Sequence, residues 1–298
     1  MSRNKTPDTP TASQVNGSET ASGKGGRVRR TKHAAYQLVP FPLTQRVIVT
    51  LQRFTEHKHI IHVLTEVDVT TPRQVIQEQK TRGEEPLSFT AFIAACLGKA
   101  VDENKAVQAY RKGRNQLVLF EDVDINIPVE HEVEGHKFPL VYIVRAANRK
   151  TAWQIHHEIR AFQKLHASNV LPIPRLVQRW PGLLLLGGRV LLRSPFYRKR
   201  SGGTCGLTAV GMFGKDSGWG IPYATLFSLF LTVGSISEKP GVVDGQIAIR
   251  EYLSLTISFD HDIIDGAPAA RFTERLKELI ESGFGLLDQE VVAEQART

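Results

Sequence analysis

The chain has 298 residues, of which 41% are hydrophobic and 23% charged, the composition of a soluble globular protein with room for one large or two ordinary domains. Its net charge of +8 is concentrated: residues 1–33 carry seven Lys/Arg against two acids, and residues 171–200 carry seven with no acid. The remainder is mildly acidic, which excludes a fold-wide basic surface for nucleic acid. Two distant cysteines, Cys96 and Cys205, support neither a disulfide framework nor a zinc site, and with no apolar signal segment after Met1 a cytoplasmic location is expected. No apolar run reaches the roughly 18–20 residues needed to span a bilayer.

In chain order, residues 1–35 are polar, Ser/Thr/Gly-rich and basic, too poor in apolar surface to offset ordering entropy, and read as a disordered tail. Residues 36–290 read as one domain. His59–Thr70 alternates as a strand, with Val63, Thr65, Val67 and Val69 on one side. A helix is expected from Pro72 to Lys80, and a second from Pro86, with Leu87, Phe89, Phe92, Ile93, Cys96, Leu97 and Ala100 as its apolar face. His57, His59 and His62 invite a metal, yet no acid or cysteine completes a ligand set, so surface or interface histidines and no metal are expected.

Strands follow around Gln116–Phe120, Val123–Val129 and Pro139–Arg145, then a helix capped by Thr151 and running to about Leu165. From about 166 to 200 apolar and basic residues interleave. This segment suits a membrane face, a subunit contact or a cover for an open sheet edge. Ser201–Gly214 is a strand bounded by glycines, and Phe230–Ile247 a hairpin turning at Asp244-Gly245.

The last block is the most informative. Leu253, Leu255, Ile257 and Phe259 alternate with Ser254, Thr256, Ser258 and Asp260, the mark of a half-buried strand. After Gly266 the apolar period becomes helical through Ala269, Phe272, Leu276, Leu279 and Ile280, with Pro268 in the first turn. His261 therefore stands at a strand end, and Asp265-Gly266 leads into a helix.

His261-x-x-x-Asp265-Gly266 behind Ser-Phe-Asp resembles the signature of the catalytic domain of dihydrolipoamide acyltransferases, the core subunits of 2-oxoacid dehydrogenase complexes. Other blocks agree in order: Leu64-Thr-Glu-Val-Asp-Val-Thr70, Pro86-Leu-Ser-Phe-Thr, Val123-Asp-Ile-Asn-Ile-Pro-Val, Arg145-Ala-Ala-Asn-Arg-Lys and Gly202-Gly-Thr. The resemblance covers about residues 36–165 and 200–283. It implies an α/β fold of the coenzyme A-dependent acyltransferase type shared with chloramphenicol acetyltransferase, a mixed β-sheet with flanking helices.

The resemblance also implies the chemistry: acyl transfer between coenzyme A and a thiol carrier such as dihydrolipoamide. A thiol attacks as the thiolate, and a neutral imidazole can take its proton. His261 is the implied general base and Thr208 the implied oxyanion donor. Asp265 is the implied holder of loop geometry, with Arg46 as its ion-pair candidate. The family implies a homotrimer with the site between subunits, with a larger cage left open. The tail contains no lipoyl-domain motif, so a free-standing domain is expected, its lipoyl group or acyl carrier arriving on a partner protein.

Asp262 stands where the family usually has a basic residue, and is expected to raise the imidazole's pKa if close. The family's proline loop is rewritten around Tyr223, Phe227 and Phe230. Two alternatives stay open: a non-catalytic trimeric scaffold, and an O- or N-acetyltransferase like the chloramphenicol enzyme, whose usual His-His is here Asp260-His261.

Overall fold

The computed structural model describes residues 41, 49, 58–133, 136–164, 191, 193–210, 218–222 and 226–286. The basic tail, Arg46, His57, Tyr223 and most of the 166–200 segment lie outside the described residues. Nearly all that is described belongs to one compact unit within residues 43–298.

Among the described residues, eight strands and five α-helices follow one another in the order β1 (Ile60–Asp68), α1 (Thr70–Thr81), α2 (Phe89–Glu103), β2 (Tyr110–Lys112), β3 (Gln116–Val118), β4 (Ile125–Val133), β5 (His136–Val144), α3 (Ala152–Lys164), α4 (Pro195–Gly202), β6 (Cys205–Ala209), β7 (Leu229–Val243), β8 (Gln246–Asp260) and α5 (Gly266–Glu281). Six strands form one sheet in the order β1-β8-β7-β6-β4-β5. The short β6 runs parallel to both neighbours, and every other pairing is antiparallel. The expected mixed sheet is therefore present. Strands β2 and β3 form a separate two-stranded ribbon.

Helices α1, α2, α3 and α5 share one core cluster with the aliphatic face of the sheet, where Leu207, Leu231, Ile257 and Val63 align across four strands. Phe272 of α5 meets Phe259 of β8 edge-to-face at 5.8 Å, and burying a ring of that size stabilises by roughly 1.5–3 kcal/mol. Asp244 and Gly245 both take positive φ, 50° and 78°, the twisted turn that closes the β7–β8 hairpin as its sequence requires.

Several boundaries move, each for a local reason. Helix α1 begins at Thr70 rather than Pro72, because Asp68 Oδ1 accepts from both the amide and the hydroxyl of Thr70. Helix α2 begins at Phe89 rather than Pro86, with Ser88 in extended geometry before it. Its ten buried residues wrap the whole helix, so it is a central element and not a one-faced one. At α3 the expected cap is present as a reciprocal pair: Thr151 Oγ1 accepts from the Gln154 amide, and Gln154 Oε1 from the Thr151 amide.

The largest correction concerns β8. Residues 253–260 are buried on both faces, the Ser/Thr face included. Gly220 lies directly against Thr232, the cross-strand neighbour of Thr256, and Gly218 against Gly234. An alternating pattern read as half-solvated is thus a polar face buried as fully as the aliphatic one.

Candidate active site

β8 carries His261 beyond its last paired residue, Asp260, and the chain then turns twice on itself before α5. The Asp260 carbonyl accepts from the amides of Ile263 and Ile264. The His261 amide donates to the His59 carbonyl at 2.7 Å, and the Asp260 amide to the Ser228 carbonyl at 2.9 Å. The imidazole is 44% exposed, open enough to meet a ligand.

Asp265 lies at the N-cap position of α5 with an extended backbone and makes no capping bond. Its carboxylate is 86% exposed within the chain, and its Oδ1 is 3.9 Å from His261 Nδ1, too long for a hydrogen bond. The ion pair with Arg46 that the family resemblance implies cannot be placed beside it, because Arg46 lies outside the described residues.

The Asp262 carboxylate is engaged by two other segments. Its Oδ1 is 2.8 Å from His59 Nδ1, and its Oδ2 is 3.6 Å from the Arg111 guanidinium. An imidazole and a guanidinium from other segments thus face the acid that stands in place of a base.

Asp260, directly before His261, is 4% exposed and faces Lys58, whose Nζ lies 2.8 Å from Asp260 Oδ2 and 2.9 Å from the Phe227 carbonyl oxygen. Burial pulls the Lys58 ammonium below its ordinary pKa, opposed by the Asp260 charge and hydrogen bond. Beside it Arg198 of α4 stacks 3.8 Å above the Tyr110 ring and donates to the Leu226 carbonyl. Sequence reasoning passed over Lys58 and Arg198. A buried-strand Asp signals that some cation must face it, but nothing along the chain says which.

Thr208 lies on β6, on the polar face with Thr232 and Thr256 in one cross-strand row. Asp124 fixes the start of that strand. Its carbonyl accepts from the amides of Thr204 and Cys205, and its carboxylate from Arg145 and the Ala146 amide. Arg145 also holds the Lys199 and Arg200 carbonyls at the end of α4.

Within one chain the two candidates do not meet. His261 is five residues beyond Thr256 and two strands from Thr208, so at about 3.3 Å per residue and 4.8 Å per strand their Cα atoms are roughly 19 Å apart. A cleft of about 510 Å³ reaches Ala209, next to Thr208, and is lined also by Phe89, Val233, Ile236 and Leu253, with the Arg73–Glu251 ion pair beside it. It lies at the far end of the strands from His261.

Metal-ligand chemistry fits poorly. His59 is engaged with Asp262, and His62 with the Ser258 hydroxyl at 2.8 Å. Glu85, His156 and His157 bring three ligand atoms within 4.8 Å of one another. His156 Nδ1, however, accepts from the Ser88 amide, which places the ring proton on Nε2, 3.0 Å from Glu85. That nitrogen donates, and has no lone pair for an ion. No helix among the described residues is long and apolar enough to cross a membrane.

The 2-oxoacid dehydrogenases acyltransferase (catalytic domain) family model matches residues 34–174 and 197–287. The lipoamide acyltransferase component of the branched-chain alpha-keto acid dehydrogenase complex of Bacillus subtilis is 28% identical over 228 residues, 74% of this chain and 46% of that protein. The chain spans about half the length of the curated relatives it matches. Among solved structures, a probable dihydrolipoamide acetyltransferase of Listeria monocytogenes superposes with a TM-score of 0.63 at 21% identity, covering 84% of this chain and 96% of that one. The Azotobacter vinelandii dihydrolipoamide acetyltransferase, studied for the roles of a serine, a histidine and an asparagine in its mechanism, gives 0.63 at 19% identity, covering 88% and 99%. These likenesses establish the fold as that of acyltransferase catalytic cores. With most of its length under that one family model, the chain belongs to the 2-oxoacid dehydrogenase acyltransferase catalytic-domain family.

Proposed function

We propose that this chain is an acyltransferase that moves an acyl group between coenzyme A and a thiol carrier such as dihydrolipoamide, at a site shared between neighbouring copies in a trimer. The observation that carries this reading is the separation of two half-exposed candidates on one rigid sheet. Thr208 and His261 are roughly 19 Å apart within a chain by strand geometry, which supports completion of the site by a second copy. The histidine and asparagine studied in the Azotobacter enzyme stand four positions apart, as His261 and Asp265 do here.

In the proposed reaction His261, through the ring nitrogen facing away from Asp265, accepts the proton of the attacking thiol. The thiolate adds to the thioester carbonyl carbon, and the resulting oxyanion accepts a hydrogen bond from the Thr208 hydroxyl of the neighbouring copy. Collapse expels the second thiolate, which recovers the proton from the imidazolium. No metal or redox partner enters the balance. Coenzyme A and the lipoyl group act as substrates, the latter carried by a partner protein.

The test is thiol exchange between acetyl coenzyme A and dihydrolipoamide. Wild-type protein is expected to turn over, and His261→Ala to lose about 10²–10⁴-fold in kcat while remaining folded. A trimer without a rate above background would make the chain a scaffold of the same fold.

A further inference from the structure

The dipeptide Lys58-His59 grips three consecutive residues of the His261 turn by three different means. The Lys58 ammonium binds the Asp260 carboxylate at 2.8 Å, the His59 carbonyl accepts the His261 amide at 2.7 Å, and the His59 ring meets the Asp262 carboxylate at 2.8 Å. Lys58 also donates to the Phe227 carbonyl. The same 226–228 strip is held by Arg198 at Leu226, and by Ser228, which accepts the Asp260 amide and donates its hydroxyl to the Ala109 carbonyl.

The side chains of Lys58 and Asp260 are 17% and 6% exposed, so this pair is worth more than a surface bridge and is costly to break from one side. Asp260 directly precedes His261, the first residue of the turn. We propose that Lys58 is a positioning residue for His261: by clamping Asp260 against the 226–228 strip, it fixes the direction in which β8 delivers the imidazole. This rests on the reading of His261 as the general base.

A mere structural brace and a positioning residue differ in what they move. A misplacement of about 1 Å at a reacting group costs on the order of 10²-fold in rate, while binding of a substrate held elsewhere is untouched. In the exchange assay Lys58→Met is therefore expected to lose about 10–10²-fold in kcat, with KM for acetyl coenzyme A unchanged within about two-fold. Lys58→Arg, which keeps the charge and two donors, should recover most of the rate, and added ethylammonium should partly rescue Lys58→Ala.

Wild-type kcat in Lys58→Met would overturn the proposal. So would an equal loss in Lys58→Arg with no response to the amine. Should Lys58→Met fail to fold, Lys58→Met/Asp260→Asn leaves no unpaired buried charge, and its kcat loss at unchanged KM is then the expected result; wild-type kcat in that variant would again overturn it. Amide hydrogen exchange across residues 259–265 separates the two readings. Faster exchange there in Lys58→Met supports the clamp even if the wild type has no acyltransferase activity, and unchanged exchange removes it even if His261 proves essential.

Discussion

Thr208 lies on β6 and His261 directly follows the end of β8, two strands away in the same six-stranded sheet, which puts their Cα atoms roughly 19 Å apart. If the proposed site pairs them, a neighbouring copy brings the two together. Thr208→Ala is expected to lower kcat by about 10²–10³-fold, the cost of one oxyanion donor. Mixing and reassembling Thr208→Ala with His261→Ala subunits should return activity that neither has alone, since some interfaces then carry an intact pair. Silence in the mixed oligomers would remove the shared site.

Gly203 sits at φ +91°, and a Cβ there would lie 2.6 Å from the Asp124 carbonyl oxygen. The backbone conformation and the close approach both exclude a side chain. Gly203→Ala is expected to destabilise by roughly 2–4 kcal/mol, read by urea unfolding with m unchanged. Because Asp124 anchors the first residues of β6, the variant should also lose exchange activity through Thr208. A neutral substitution would mean that the Asp124 anchor gives way easily.

Glu103, at the end of α2, is held by the Arg275 side chain, which brings its carboxyl down to about 2 from 4.5, with Lys99 adding to the effect. A carboxyl depressed in the folded state contributes stability that is complete above its unfolded value and is lost as pH falls through the folded one. Wild-type protein should therefore exceed Glu103→Gln in stability above about pH 4.5, and the gap should close between pH 4.5 and about 2. Unfolding curves of the two proteins across that window measure it. A gap that stays constant with pH would disconnect Glu103 from the acid response.

Cys96 and Cys205 are fully buried, and burial pushes both thiols up, Cys205 to about 12. Neither is a carrier thiol. Iodoacetamide is expected to label neither in native protein and both after denaturation, as mass spectrometry would show. A modified cysteine in native buffer would mean that the core around α2 or β6 opens.

The path from sequence to structure was short wherever a local rule sufficed. Asp244-Gly245 demanded a tight hairpin turn, Thr151 announced a helix cap, and the change of period at Gly266 separated β8 from α5. The starts of α1 and α2 were harder, because Asp68 and Ser88 displaced the prolines as boundary markers. The burial of Ser254, Thr256 and Ser258 escaped local reasoning altogether, since it comes from other segments, as where Gly220 packs on Thr232 beside Thr256 and His62 meets Ser258.

By itself the sequence determined the alternation of strand and helix, the block order that marks the family, and the strand-end placement of His261. These depend on neighbours a few residues apart, where backbone geometry and side-chain period act directly. Only the tertiary structure decided that Lys58, Asp260 and Phe227 converge, that Asp262 is held by His59 and Arg111, and that Thr208 stands apart from its own His261. A buried charge takes whichever partner the folded chain brings within reach, and that choice is made across a separation of 202 residues between Lys58 and Asp260.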